Sequence, residues 1–171
     1  MLSPTLSQQR LHLQTFTAEA EPIGLLAGAL RSRIRTLVEA RAEPFGLSAL
    51  QFWMFVAVAE MHEPSLADVA ARVRSDLPTA SRAMKELFVR GMVIDDRPPS
   101  NRRRSRFLIT ARGRRVKPKL LALAHEVRRT VEIGLTPKER RAVRHGLRKA
   151  IAHVENLLHE EGLPLPAASS G

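Results

Sequence analysis

The chain is 171 residues long, with 28 lysines and arginines against 17 aspartates and glutamates, a formal charge of +11, and no cysteine. The length allows one domain with a real core, or a smaller domain plus oligomerisation helices, and the missing cysteines exclude disulfide staples, thiolate metal sites and thiol redox sensing. An opening without a leader pattern, and a longest apolar run of only Phe52 to Ala59 against the roughly 20 residues a membrane span needs, point to a soluble cytoplasmic protein with no membrane partner.

Residues 1–21 read as an N-terminal arm. From Ile23, apolar residues recur at Ala27, Leu30, Ile34 and Leu37. These steps of four and three define a helix with one narrow seam, stopped before Pro44 and Gly46. Ser48 and Gln51 form a capping box that opens a second helix, LSALQFWMFVAVAEMH. Phe52, Trp53 and Phe55 leave its middle without a polar face, so this helix should be buried on most sides. Ser65 with Asp68 opens a third helix, SLADVAARV, and Asp76 caps a fourth over Leu77 to Arg90. Pro78 falls in the first turn of that fourth helix, where its missing N–H is harmless. Only RSD separates the third helix from the fourth, which is the spacing of a helix-turn-helix. Within the fourth helix the periodicity puts Ala80, Met84, Leu87 and Phe88 on the core side and leaves Thr79, Ser81, Arg82 and Lys85 for a partner.

Gly91 stops the fourth helix, MVID alternates like a strand, PPSN is turn chemistry and RRSRFLIT reads as the returning strand. The loop of this hairpin holds Arg102, Arg103 and Arg104. Residues 97–119 carry ten basic side chains and no acidic one, whereas residues 1–96 are nearly balanced at ten basic and eleven acidic. Charge concentrated in one segment is an electrostatic footprint for a polyanion, which a bias in codon usage would not produce. After Gly113 a helical pattern resumes with Val116, Leu120, Leu123, Val127 and Val131, and Pro118 should kink that helix or mark its true start. Thr136, Pro137 and Glu139 open a last helix with Val143, Leu147, Ala150, Val154 and Leu157 on one seam. The composition of GLPLPAASSG predicts a disordered tail over residues 161–171.

Helix, helix, turn, helix and a two-stranded hairpin make a winged helix-turn-helix, with the arginine-rich hairpin as its wing. The fold class is mainly α with a small β-hairpin. The organisation is a winged lobe over 47–113, and helices over 22–46 and 114–160 whose seams each want a partner helix. The amides near Asp76 and Pro78 would approach a phosphate, Arg82 is long enough for a guanine edge or the backbone, and the wing arginines suit a narrow minor groove.

The stretches GLSALQFWMFVAVAE, SLADVAARVRSDLPTASRAMKELFVRGMV and NRRRSRFLITARG resemble the multiple-antibiotic-resistance regulator (MarR) family over residues 23 to 158. The resemblance implies an obligate homodimer knitted by the terminal helices, double-stranded DNA as partner, and a small aromatic or phenolic acid as effector. On that basis the effector cleft is expected around Arg31, Arg35, Trp53 and Met54, an aromatic wall with cations for a carboxylate. Asn101 stands ahead of Arg102 and Arg103 where many members have an aspartate, and Asp95 and Asp96 stand where a basic residue is common, so which arginine enters the minor groove stays open.

No nucleophile motif, phosphate loop or dinucleotide fingerprint appears, and the six histidines lack metal-ligand spacing, so neither an enzyme, a cofactor nor a metal site is expected. The reading is a homodimeric DNA-binding regulator, a repressor by preference, on a pseudo-palindromic site. Two alternatives stand beside it: a sequence-tolerant architectural DNA-binding protein, and a protein-interaction module on a winged-helix scaffold.

Overall fold

The computed structural model describes residues 21–96 and 106–163. The arm before residue 21, the hairpin loop with Arg102, Arg103 and Arg104, and the tail after residue 163 lie outside the described residues. The chain divides into two compact units, residues 1–34 and 35–171. In the first, helix α1 (Ile23–Ala42) begins, with Ile23, Leu25, Leu26 and Leu30 all exposed. The second holds the end of α1, then α2 (Ala49–Glu60), α3 (Leu66–Val73), α4 (Leu77–Val89), β1 (Val93–Asp96), β2 (Arg106–Ile109), α5 (Ala111–Glu132) and α6 (Pro137–Glu160).

The caps form where the sequence places them. Ser48 accepts from the Gln51 amide while the Gln51 side chain accepts from the Ser48 amide, and Ser65 with Asp68 and Thr136 with Glu139 repeat the arrangement. Asp76 accepts from Thr79 at the start of α4. Gly46 and Gly91 both adopt φ of 65°, the left-handed region where a side chain is strained, and each ends a helical segment.

Helix α2 is the centre of the lobe. Phe52, Met54 and Phe55 are fully buried and Val56 nearly so, with α3, α4, α5 and β2 packed around them. Each such side chain contributes about 1.5–3 kcal/mol on leaving water. The antiparallel hairpin pairs Val93 with Ile109 and Asp96 with Arg106, turning Val93 and Phe107 inward. Phe107 also donates its amide to the Pro64 carbonyl at 2.9 Å, which fastens β2 to the loop before α3.

Two expectations need correction. Phe88 is 54% exposed, and Ala83 is buried in its place. At about 100° per residue the stripe formed by Ala80, Ala83, Met84 and Leu87 spans roughly 100°, and Phe88 falls about 40° outside it. Helix α5 starts at Ala111 rather than after Gly113, and it runs through Pro118 to Glu132, so Pro118 is not its start. Thr110 sets this start, because its hydroxyl oxygen accepts from the Gly113 amide at 3.0 Å while its O–H donates to the Gly91 carbonyl at 2.6 Å. The short apolar spacing after Gly113 conceals a cap three residues earlier.

Gly113 is required for space. A Cβ there would lie 2.2 Å from the Met92 carbonyl oxygen and 2.8 Å from Ile109 Cγ2. Backbone cannot retreat as a flexible side chain can, so Gly113→Ala is expected to destabilise the fold by about 1–3 kcal/mol. Thermal melts should show a drop of about 2–4 °C for each kcal/mol in a chain of this size. An unchanged melting temperature would mean that the first turn of α5 is not clamped onto β1.

Candidate nucleic-acid interface

The turn between α3 and α4 is made by Arg74, Ser75 and Asp76. Arg74 takes the left-handed conformation at φ 55°, and the Ser75 amide returns to the Ala70 carbonyl at 2.9 Å. This closes α3 and launches α4 at an angle. The Asp76 carboxylate accepts from the Thr79 amide at 2.8 Å. That N–H is the largest of the influences holding Asp76 below the usual carboxylate range, and the Thr79 hydroxyl and the Arg82 charge act in the same direction.

The faces of α4 separate cleanly. Opposite the buried stripe, Pro78, Arg82 and Lys85 recur at steps of four and three along one exposed row, with Ser81 exposed beside them. Thr79 is half-buried, and its hydroxyl accepts from the Arg82 guanidinium at 3.2 Å. The five residues singled out on this helix therefore lie together, four outward and one at the flank. Arg102, Arg103 and Arg104 fall outside the described residues. The base of the hairpin that carries them is held by an ion pair between Arg106 and Glu63 of the α2–α3 loop.

A shallow cleft of about 270 Å³ lies between α2, α3 and α5, lined by Trp53, Val56, Ala57, Glu60, Arg72, Val73 and Arg128. Of the expected effector residues in the second unit, Trp53 lines it. Met54 is fully buried in the core, and Arg35 pairs with Glu39 of its own helix at 3.7 Å. Arg31 belongs to the first unit. The cations of the cleft are instead Arg72 and Arg128. Arg128 sits 5.6 Å from the Trp53 ring centroid and reaches Glu60 with both guanidinium nitrogens, at 2.7 and 3.1 Å, while Arg72 meets Glu60 at 3.2 Å. The sequence offers no signal for this cluster, because Glu60 and Arg128 are joined only by tertiary packing across 68 residues. The Arg128 hydrogen bond is the main reason that Glu60 is held below the usual carboxylate range. Partial burial opposes it and Arg72 adds to it.

Comparison with known proteins places this geometry. No family model matches the sequence, and no curated protein matches it. Solved structures do match. Over 76% of this chain and 93% of the other, it is 25% identical to Bordetella bronchiseptica BpsR, whose structure addresses regulation of DNA binding by 6-hydroxynicotinic acid, with a TM-score of 0.65. A MarR-family regulator from Listeria monocytogenes, solved with a 26mer DNA, is 19% identical over 85% of this chain and 99% of its own, with a TM-score of 0.72. CouR from Rhodococcus jostii, solved with p-coumaroyl-CoA, is 24% identical over 78% of this chain and 94% of its own, with a TM-score of 0.68. The chain thus has the winged-helix fold of the MarR transcriptional regulators.

Because the carboxylate of Glu60 titrates lower folded than unfolded, its pairing contributes stability above the unfolded value and loses it as pH falls through the folded one. Glu60→Gln should therefore narrow the difference in melting temperature between about pH 6 and pH 3, the range in which such a carboxylate takes up its proton. Melts of the two proteins across that range check this, and an identical acid limb in both would contradict it.

Proposed function

We propose that the chain is a homodimeric transcription regulator that binds a pseudo-palindromic DNA duplex and answers to a small acidic effector, acting as a repressor. The observation that carries this is the split of α4 into a buried stripe and an outward row of Pro78, Arg82 and Lys85, followed by a hairpin whose loop sequence contains RRR. The likeness to a regulator solved on DNA, to one studied with 6-hydroxynicotinic acid and to one solved with p-coumaroyl-CoA supports it. Recognition helices of the two copies would enter successive major grooves, with Arg102, Arg103 and Arg104 at the flanking minor grooves. Nothing in this reading calls for catalysis, a cofactor or a metal.

The dimer is proposed from apolar surface without cover. Val143, Val154 and Leu157 of α6 and Leu26 and Leu30 of α1 are all more than two-fifths exposed, and α6 has no buried residue. Helices with such seams are stable when a second copy covers them. The effector is placed in the Trp53 cleft, with the ring as a wall and Arg128 and Arg72 for a carboxylate. Since both guanidiniums already serve Glu60, an acid entering there competes with that carboxylate, and it shifts DNA affinity only as far as its own affinity differs between the two lobe arrangements.

Selection of bound fragments from the source genome, followed by anisotropy titration of the best fragment and a scrambled one, tests the reading. An inverted repeat preferred by about a thousand-fold or more is expected. Equal binding of both with a shared salt dependence would favour the architectural alternative, and no binding at all would favour the protein-interaction module. Arg82→Ala is expected to cost about 1–3 kcal/mol of affinity; relaxed preference assigns Arg82 to a base edge, and a uniform loss assigns it to phosphate. Val154→Asp with Leu157→Asp should convert the protein to monomers in sedimentation and abolish the preference for the repeat; a dimer that survives would remove α6 from the interface.

A further inference from the structure

Half of the basic segment lies beyond the wing. Arg112, Arg114, Arg115, Lys117 and Lys119 all fall in the first nine residues of α5, which has no acidic residue before Glu126. Four of the five are exposed and Lys117 is half-buried. This placement is unfavourable to the helix itself. A helix N-terminus carries partial positive charge that each cation there opposes, and the cations repel one another.

Nor does the fold relieve the repulsion. Elsewhere in the second unit Arg35, Arg41, Arg72, Arg106, Arg128 and Arg144 each face a carboxylate. Among the described residues none of the five cations at the start of α5 has an ion pair, and only Arg114 has a hydrogen bond, to the Ile109 carbonyl at 3.1 Å. An uncompensated cluster that works against its own helix points to a partner outside the chain.

The cluster is also rigidly placed. Thr110 and Gly113 clamp the first turn of α5 onto Gly91 and Met92, the residues that leave α4, and β2 leads directly from the wing into that turn. The cations therefore keep a fixed relation to the end of α4 and to the strands at the base of the hairpin. Arg112, Arg115 and Lys119 follow one another at steps of three and four, a strip about 10 Å long on one side of the buried stripe. Between Arg112 and Lys119 the only apolar side chains are the half-buried Val116 and the exposed Pro118, in contrast to the aromatic and aliphatic centre expected of a protein interface. Three flexible cations in a row without a pocket suit a line of phosphates, and they continue a segment of the chain that contains no acid.

We propose that Arg112, Arg115 and Lys119 form a second, sequence-independent contact to the phosphates of duplex DNA, adjoining the contact of the wing. The inference rests on the DNA-binding reading above and extends its footprint onto α5.

The test uses the full chain and the triple variant Arg112→Ala, Arg115→Ala, Lys119→Ala. Affinity for the best genomic fragment and for a scrambled duplex is measured over a series of salt concentrations. The slope of log affinity against log salt should fall by about 0.9 for each phosphate that the variant no longer neutralises, about 2.7 if all three cations engage. Both duplexes should bind roughly ten-fold or more weakly near 0.1 M salt, with the preference between them kept. The variant should melt no lower than the parent, since cations have been removed from a helix N-terminus. The charge-retaining pair Arg112→Lys and Arg115→Lys should keep the parental slope, which keeps the test decisive if the alanine variant folds poorly. An unchanged slope in the folded alanine variant, a weakening confined to the best fragment, or a reduced slope in the lysine variant each overturns the strip. If the parent binds no duplex, the regulator reading fails; if it does, and only Arg102→Ala with Arg103→Ala lowers the slope, this inference alone fails.

Discussion

A helix whose middle turns carry large apolar side chains on every face has to be enclosed, and the enclosure of α2 governs the winged lobe. Phe52, Met54 and Phe55 point in different directions around the axis and are all fully buried. No single neighbour can cover them, so α3, α4, α5 and the returning strand must each supply a side. Once they do, their polar faces are turned outward by the same periodicity that turns their apolar faces in. The outward row of α4 is thus a by-product of the packing of Ala80, Ala83, Met84 and Leu87 against α2. Function on such a helix is written on positions the core leaves free.

The same constraint explains how much of the molecule is legible in its sequence. Caps are local chemistry, and Ser48, Ser65, Asp76 and Thr136 identify their helices because each donor and acceptor lies within three residues of its partner. Packing direction is legible only to within the width of a stripe, which is why periodicity turns Phe88 inward while the structure puts Ala83 there. The start of α5 is hidden because its cause is tertiary: Thr110 and Gly113 are held by Gly91 and Met92, almost twenty residues earlier. The cleft is half legible. Trp53 stands out as the one tryptophan of the sequence, but its cation is Arg128, and nothing within reach of Trp53 along the chain announces it.

Arginine does two kinds of work here, and partner rather than position in the composition separates them. Exposed ion pairs are individually weak, worth about 0–1 kcal/mol, so most of the paired arginines steady local geometry more than they stabilise the fold. Glu60 differs in having two cations, one of them with a bidentate grip and an aromatic ring at its back. Through them it joins α2 to α3, which leads into α4, and to α5, which follows the hairpin. By contrast the cations at the start of α5 have no carboxylate among the described residues, and neither Arg82 nor Lys85 is ion-paired there. The two arginines that grip Glu60 thus sit on α3 and α5, while the outward row of α4 and the first turns of α5 carry cations without an ion pair among the described residues.

That division bears on how a small acid in the Trp53 cleft would be felt at DNA. A carboxylate that took Arg128 from Glu60 would not alter the outward row of α4 directly, since none of its residues lines the cleft. It would act on the joint, by exchanging an ion pair that ties α2 to α5 for one that ties the ligand to α5 alone. The cations of the proposed DNA contact would remain intact, but the spacing at which the two copies of the proposed dimer present them would be freed to change. Because two recognition helices must meet grooves one turn apart, a small change in spacing is enough to forfeit one of them. An effector of this kind needs only the energy of one shielded ion pair to be useful, which is the scale of coupling that regulation by a small ligand ordinarily has, about 1–3 kcal/mol.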